Sequence, residues 1–138
     1  MDDIGGRIRF RRLRGRVVTA EEAAELIWDG MRVGVSGFTP AGYPKAVPLA
    51  LAERVRRTGE RLKIDILSGA SVGPEIDESL VRAGIVRRRL PYQTSAAIRD
   101  AVNAGEIPYL DEHLSHVAQR CRYGFYGPLD LAIIEAVM

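Results

Sequence analysis

The chain reads as an α/β protein, a mostly parallel sheet flanked by helices. Two observations predict this. Short apolar runs rich in Val, Ile and Leu recur at 31–36, 63–68 and 129–137, each of strand length. Between them stand segments with helical start and stop signals, and Gly- or Pro-bearing loops follow the first two runs. Strands alternating with helices pair in parallel through right-handed crossovers. Ligands of such sheets sit beyond the carboxyl ends of the strands.

The elements follow in order. Thr19-Ala20-Glu21-Glu22 is a capping box: Thr19 caps the amide three residues on, and Glu22 reaches back. A helix of about ten residues is expected from there. It ends at Gly30, with Ala23, Leu26 and Ile27 as its apolar side. Strand one is Met31–Ser36, followed by the glycine loop Gly37–Gly42. A helix from Pro44 to Arg57 comes next, with Val47, Leu51 and Val55 on one face. Pro48 still falls near its first turn, where a missing N–H matters least. Gly59 breaks the chain, and Lys63–Ser68 is strand two. The loop Gly69–Pro74 leads to a short helix, Glu75–Ala83, closed by Gly84. Ile85–Leu90 is strand three, marked as an edge or surface strand by its arginines. Pro91–Thr94 opens a helix over Ser95–Ala104, and Glu112–Cys121 is helical too. Leu129–Val137 has the near-continuous apolar character of a strand buried on both faces.

Composition narrows the function. The 138 residues suffice for one domain with a real core, and 46% hydrophobic with 28% charged residues is ordinary globular usage. Net charge is only +2, yet Arg7, Arg9, Arg11, Arg12, Arg14 and Arg16 crowd an N-terminal arm, residues 1–18. The arm is expected to be solvated and partly disordered. No aromatic platform accompanies the arginines, so nucleic acid is not an expected partner. The single cysteine, Cys121, excludes an intramolecular disulfide and suits a reducing cytoplasm. No apolar run approaches the ~20 residues of a membrane span, and no secretory signal is expected.

The glycine loop is the first candidate site. Gly37 and Gly42 have the outer spacing of a phosphate-binding loop, but Tyr43 and Pro44 stand where Lys and Ser/Thr are required. Nucleotide hydrolysis is therefore not expected. The spacing of Gly34, Gly37 and Gly42 also misses the dinucleotide fingerprint. An anion or acyl cradle at a helix N-terminus and an ordinary tight turn both remain open. Ser71 and Thr94 lie in the loops after strands two and three, where each is a carboxylate donor or a helix cap. His113 and His116, three apart on a helix, lack a third ligand at metal spacing, so no metal is expected. Cys121 has no surrounding nucleophile signature. Glu135, inside an apolar strand, requires a partner.

Five segments together resemble one family. They are SGFTPAGYPKAVPLALAER (36–54), ILSGASVGPEID (66–77), RRRLPYQTS (87–95), NAGEIPYLDEHLSHVAQ (103–119) and YGFYGPLDLAIIEA (123–136). In this order they resemble the N-terminal part of the acetyl-CoA hydrolase/transferase family, which includes succinyl-CoA:acetate CoA-transferase and related class I CoA-transferases. The resemblance covers nearly everything from Thr19 onward, so a single domain over 19–138 is expected behind the arm. It implies a NagB/RpiA/CoA-transferase-like fold, in accord with the strand–helix order.

The resemblance also implies a reaction. Family enzymes move CoA between small carboxylic acids through a glutamyl-CoA thioester, with water as the final acceptor in the hydrolases. The substrates would be coenzyme A esters, acetyl-CoA or succinyl-CoA, and small carboxylates. The pocket residues carried over are Ser36, Gly37, Phe38, Thr39, Gly42, Ser71 and Thr94, whose amides and hydroxyls would hold a carboxylate. The nucleophilic glutamate belongs to a C-terminal catalytic domain that is not within this sequence. The expected partners are that half or a full-length homologue, with a homodimer among the implied assemblies. An apolar face would be exposed where further polypeptide packs. The alternative is a catalytically inactive remnant acting as a binding or regulatory module.

Overall fold

The computed structural model describes residues 4–39, 41–70, 72–91 and 94–136. Its four strands are all parallel: β1 (Arg32–Val35), β2 (Ile64–Ser68), β3 (Val86–Leu90) and β4 (Leu131–Ile133), in the order β3-β2-β1-β4. Eight helical segments occur among the described residues. They are α1 (Ile4–Arg7), α2 (Arg11–Arg14), α3 (Ala20–Ala24), α4 (Ala46–Thr58), α5 (Pro74–Asp77), α6 (Ser79–Arg82), α7 (Ala96–Asn103) and α8 (Leu114–Arg122). None is long and apolar enough to cross a membrane. The predicted α/β architecture is present.

The two faces of the sheet differ. Val33, Ile64, Ile66 and Val86 share one face by register and pack with Leu51, Ala52 and Val55 of α4, Leu80 of α6 and Ala101 of α7. Fully burying a Leu, Ile or Val side chain contributes about 1.5–3 kcal/mol, so this face holds most of the stability. The other face carries a small cluster of Leu67, Leu90 and Tyr126, with Cys121 of α8 packed against it. All five residues of β2 are buried, as expected of a strand paired on both edges.

Several boundaries depart from the sequence reading for identifiable reasons. The capping box forms in full: Glu22 N–H donates to Thr19 Oγ1 (3.2 Å) and Thr19 N–H to Glu22 Oε2 (2.8 Å). The helix it opens is only five residues long, and Leu26 is 58% exposed rather than on the apolar side. Arg54 explains the early stop. Its buried guanidinium donates to the carbonyls of Ala24 (2.6 Å) and Ile27 (2.9 Å), so they need no further helical turn. Helix α4 begins at Ala46 rather than Pro44 and ends at Gly59, whose φ of 68° is the left-handed cap. The predicted helix 75–83 is two short turns separated at Glu78.

The last strand is the largest difference. β4 spans three residues, none buried, rather than nine residues buried on both faces. Among the described residues it pairs with β1 alone, so it is an edge, and Ile134 just beyond it is 70% exposed. β3 lies at the opposite edge, as its arginines indicated. The arginine-rich arm carries the helical turns α1 and α2, and its described side chains are almost all exposed.

Candidate functional site

Parallel pairing brings the carboxyl ends of all four strands to one edge of the sheet, and the loops after β1 and β2 meet there. Gly37, just past β1, has φ 129°, and a Cβ built on it would lie 2.7 Å from Tyr43 Cβ and 3.0 Å from Val72 Cγ1. Gly73, in the second loop, would drive any Cβ into the Tyr43 ring. These two glycines are required because the loops close on each other around Tyr43. Phe38 and Ala41 exchange backbone hydrogen bonds (3.0 and 3.3 Å), which folds the glycine loop into a tight hairpin. Phe38 and Thr39 stand exposed at its tip, and Thr39 has φ 55°. Gly42, with φ 67°, returns the chain toward α4.

A polar network fixes the base of this loop. Ser36 Oγ donates to the Gly42 carbonyl (2.6 Å) and accepts from Glu135 N–H (2.9 Å), while Ser36 N–H donates to Ile133 O (3.0 Å). The hydroxyl predicted to hold a carboxylate thus ties the loop to the end of β4. Lys45 Nζ donates to Glu135 Oε1 (2.5 Å) and to Tyr43 O (2.9 Å), and lies 4.1 Å from the Tyr43 ring centroid. Glu135 has the partner that the sequence demanded, although it sits beyond the strand. Tyr43 is buried, and its hydroxyl donates to Glu75 Oε2 (2.7 Å). That hydrogen bond, with burial and the nearby Glu75 and Glu135 charges, pushes the phenol up to about 12.

Arg89 secures the second loop from behind, and neither it nor Asp77 is exposed. Its Nε donates to Asp77 Oδ1 (2.9 Å), and Nη1 donates to Ser68 Oγ (2.9 Å) and Leu90 O (2.5 Å). Ser68 Oγ in turn donates to the Ala70 carbonyl. One guanidinium therefore links β3, the end of β2 and α5. A single arginine in the run Arg87-Arg88-Arg89 is buried, and strand alternation does not single it out: alternation groups Arg89 with the exposed Arg87, and the two part because the register with β2 shifts beside Arg87.

The remaining predicted residues are placed less closely. Ser71 lies outside the described residues. Thr94 is exposed between β3 and α7, and its carbonyl accepts from Arg99 Nη1 (3.0 Å). The helix cap is its neighbour Ser95, whose buried Oγ has no hydrogen-bond partner among the described residues. His113 caps α8, with its Nδ1 2.7 Å from Ser115 Oγ. Among the described residues no group of three His, Cys, Asp or Glu side chains is arranged to hold a metal. Glu112, whose side chain is 3% exposed, accepts the Tyr126 hydroxyl and pairs with Arg120 at 3.0 Å.

Comparison with known proteins agrees with this architecture. Residues 7–138 match the acetyl-CoA hydrolase/transferase N-terminal domain, a span that begins inside the arginine-rich arm. The chain is 49% identical over 131 residues to the succinyl-CoA:acetate CoA-transferase of Clostridium kluyveri, covering 95% of this chain and 24% of the relative. It is 48% identical over 122 residues to the propanoyl-CoA:succinate CoA transferase of Escherichia coli, covering 86% and 25%. With the acetyl-CoA hydrolase of Saccharomyces cerevisiae it shares 37% over 139 residues, 94% of this chain and 26% of the relative. The chain thus spans about a quarter of the length of these relatives. The acyl-CoA transferase apoenzyme of Escherichia coli O157:H7 superposes with a TM-score of 0.70 at 21% identity, over 81% of this chain and 23% of that one. The decarboxylase AibA/AibB superposes with a TM-score of 0.59 at 23% identity, over 80% and 44%, so the fold by itself does not select a chemistry.

Proposed function

The chain belongs to the acetyl-CoA hydrolase/transferase family, in its N-terminal domain, and on that premise we propose that its paired loops hold the carboxylate of a small acid beside an acyl-CoA thioester. The reaction served is movement of CoA between small carboxylic acids such as acetate and succinate. One observation carries the reading: Gly37 and Gly73 let the loops after β1 and β2 close on each other at the carboxyl edge of a parallel sheet. Ser36 acts here as the fastener of the glycine loop. The segment Gly37–Gly42, with Ser71 and Thr94, lines the carboxylate pocket. Neutral donors suit a small carboxylate, in keeping with the missing phosphate-loop lysine.

No glutamate of the site is assigned as the nucleophile. Glu75 accepts the Tyr43 hydroxyl, and Glu135 pairs with Lys45. The proposal puts the CoA-carrying glutamate, and most of the CoA contacts, outside residues 1–138. Purified chain given acetyl-CoA and succinate is then expected to show no CoA transfer above the uncatalysed rate.

Titration of isotope-labelled chain with acetate, followed by amide NMR, tests the pocket. Saturable shifts are expected in 36–42, in 69–73 and at Thr94. Gly37→Ala should abolish them, since the added Cβ meets Tyr43 and Val72 and the residue must keep a positive φ. Shifts confined to the arginine-rich arm, or retained in Gly37→Ala, would refute the assignment.

A further inference from the structure

The arginine-rich arm holds the unbalanced charge of the protein, and the carboxylate pocket makes no use of it. Six of the 20 basic residues and two of the 18 acidic residues lie in residues 1–18, so the arm carries +4 and the remainder −2. No acid occurs between residues 4 and 20. The arm is folded back on itself around α2. Arg14 Nε donates to the Ile8 carbonyl (3.0 Å), Leu13 N–H to Phe10 O (2.9 Å) and Arg16 N–H to Leu13 O (2.9 Å), which gathers residues 8–16 into one short stretch. Arg9, Arg11, Arg12, Arg14 and Arg16 are all exposed, and among the described residues none pairs with a carboxylate. Among the same residues, eight of the twelve arginines beyond residue 18 do have such a partner. Like charges a helical turn apart, as Arg11 and Arg14 are, repel one another. Clustered phosphates relieve that repulsion, each taking paired N–H donors from a guanidinium. Phe10, 62% exposed, stands between Arg9 and Arg11 and offers a stacking face to one nucleobase.

We infer that the arm is a binding site for a small nucleotide bearing several phosphates, and that its source is the phosphorylated end of a CoA ester. The choice of source rests on the family reading above. The family match begins at residue 7, so all six arginines fall inside the shared domain. The three curated relatives described above are each named for a CoA ester. Coenzyme A ends in an adenine, a pyrophosphate and a ribose phosphate, which gives Phe10 and the guanidiniums a counterpart each. Its thiol lies at the other end of a long flexible chain, so the phosphate clamp needs no contact with the carboxylate pocket. A strand of nucleic acid fits less well. Helices α1 and α2 are four residues each, about one turn, too short to lie along a groove, and a single ring cannot stack a row of bases.

Isothermal titration calorimetry of the 138-residue chain at about 0.15 M salt tests the site. CoA should bind saturably. Dephospho-CoA, which lacks the ribose phosphate, should bind about tenfold more weakly, and pyrophosphate, which also lacks the base, more weakly again. Tighter binding of ATP than of CoA would support the nucleotide site and overturn the CoA source. Arg11→Gln combined with Arg12→Gln should lower CoA affinity about tenfold or more, and Phe10→Ala about fivefold. Circular dichroism should not change, because all three side chains are exposed. Arg57→Gln combined with Arg61→Gln removes the same charge from two exposed arginines of the body and should leave the affinity as it was. An equal loss in that control would overturn the inference, because net charge alone would then explain binding. So would the absence of saturable binding, or a DNA duplex that outcompetes CoA at equal phosphate concentration. Amide NMR separates this inference from the functional one. CoA shifts in 8–18 without acetate shifts in 36–42 sink only the carboxylate pocket, and the reverse sinks only the arm site.

Discussion

Replacing Arg89 by Met should be the most damaging single change in the domain. The Arg89–Asp77 pair is wholly buried, so Met leaves the Asp77 carboxylate without its charge partner and without its hydrogen bond at 2.9 Å. It also removes the donors to Ser68 Oγ and to Leu90 O. Breaking a buried pair in this way costs about 3–5 kcal/mol, a large share of the ~5–15 kcal/mol that holds a domain folded. Urea unfolding followed by circular dichroism measures it. With a slope of about 2 kcal/mol per molar, the midpoint should fall by roughly 2 M. Asp77→Leu should be similarly costly, for the mirror reason that it strands the guanidinium. The double variant is the decisive case. It removes both charges and keeps the volume apolar, so its cost should lie well below the sum of the two single costs. Additive costs, or a loss of under about 1 kcal/mol in Arg89→Met, would show that the pair does not hold the second loop in the way described.

Three further outcomes follow from the same geometry. Tyr43 should titrate near pH 12 in ultraviolet difference spectra, and Glu75→Gln should bring it back toward the usual value near 10. Its folded pKa is raised, so the stability it contributes is whole below about pH 10 and is lost as pH climbs through 12. Asp65 behaves in the opposite sense: burial opposes its ionisation, but hydrogen bonds and charges from Arg87 and Arg88 outweigh burial and hold the carboxyl below its ordinary range. Its contribution is present above about pH 4 and fades as pH falls through the lowered pKa, so Asp65→Asn should flatten the acid limb of the stability profile. Thr19→Ala should cost about 0.5–2 kcal/mol in urea unfolding, because it removes the hydroxyl half of a capping box seen in both directions.

The order of elements was legible because each leaves a local mark. Thr19 and Glu22 announce a helix start, Gly59 a helix stop, and Lys63–Ser68 a strand, and the structure has all three, the strand one residue shorter. Features set by distant partners were not legible. Nothing near Ala24 says that Arg54 will take its carbonyl thirty residues later and end α3 early. Nothing near Glu135 names Lys45, and the apolar run around Glu135 suggested a longer strand than an edge supports. The candidate site divides in the same way. Gly37 and Gly42 were readable from spacing, whereas the two intramolecular partners of the Ser36 hydroxyl, the Gly42 carbonyl and the Glu135 amide, were not. Tyr43, Lys45 and Arg89 were missed as site residues, because their roles rest on contacts that no sequence window contains.

The hydrogen bond from Glu135 N–H to Ser36 Oγ has a consequence for the order of folding. It joins residues 99 apart, and the parallel pairing of β4 with β1 spans a similar distance. Contacts this remote form late, because the entropy of closing a long loop must be met before they return anything. The helices and the first three strands can assemble from nearer neighbours, and the glycine loop gains its fixed base only when the last strand docks. The glycine loop is thus a reporter of completed folding. A chain stalled before that final step keeps most of its core but leaves the glycine loop without its fixed base.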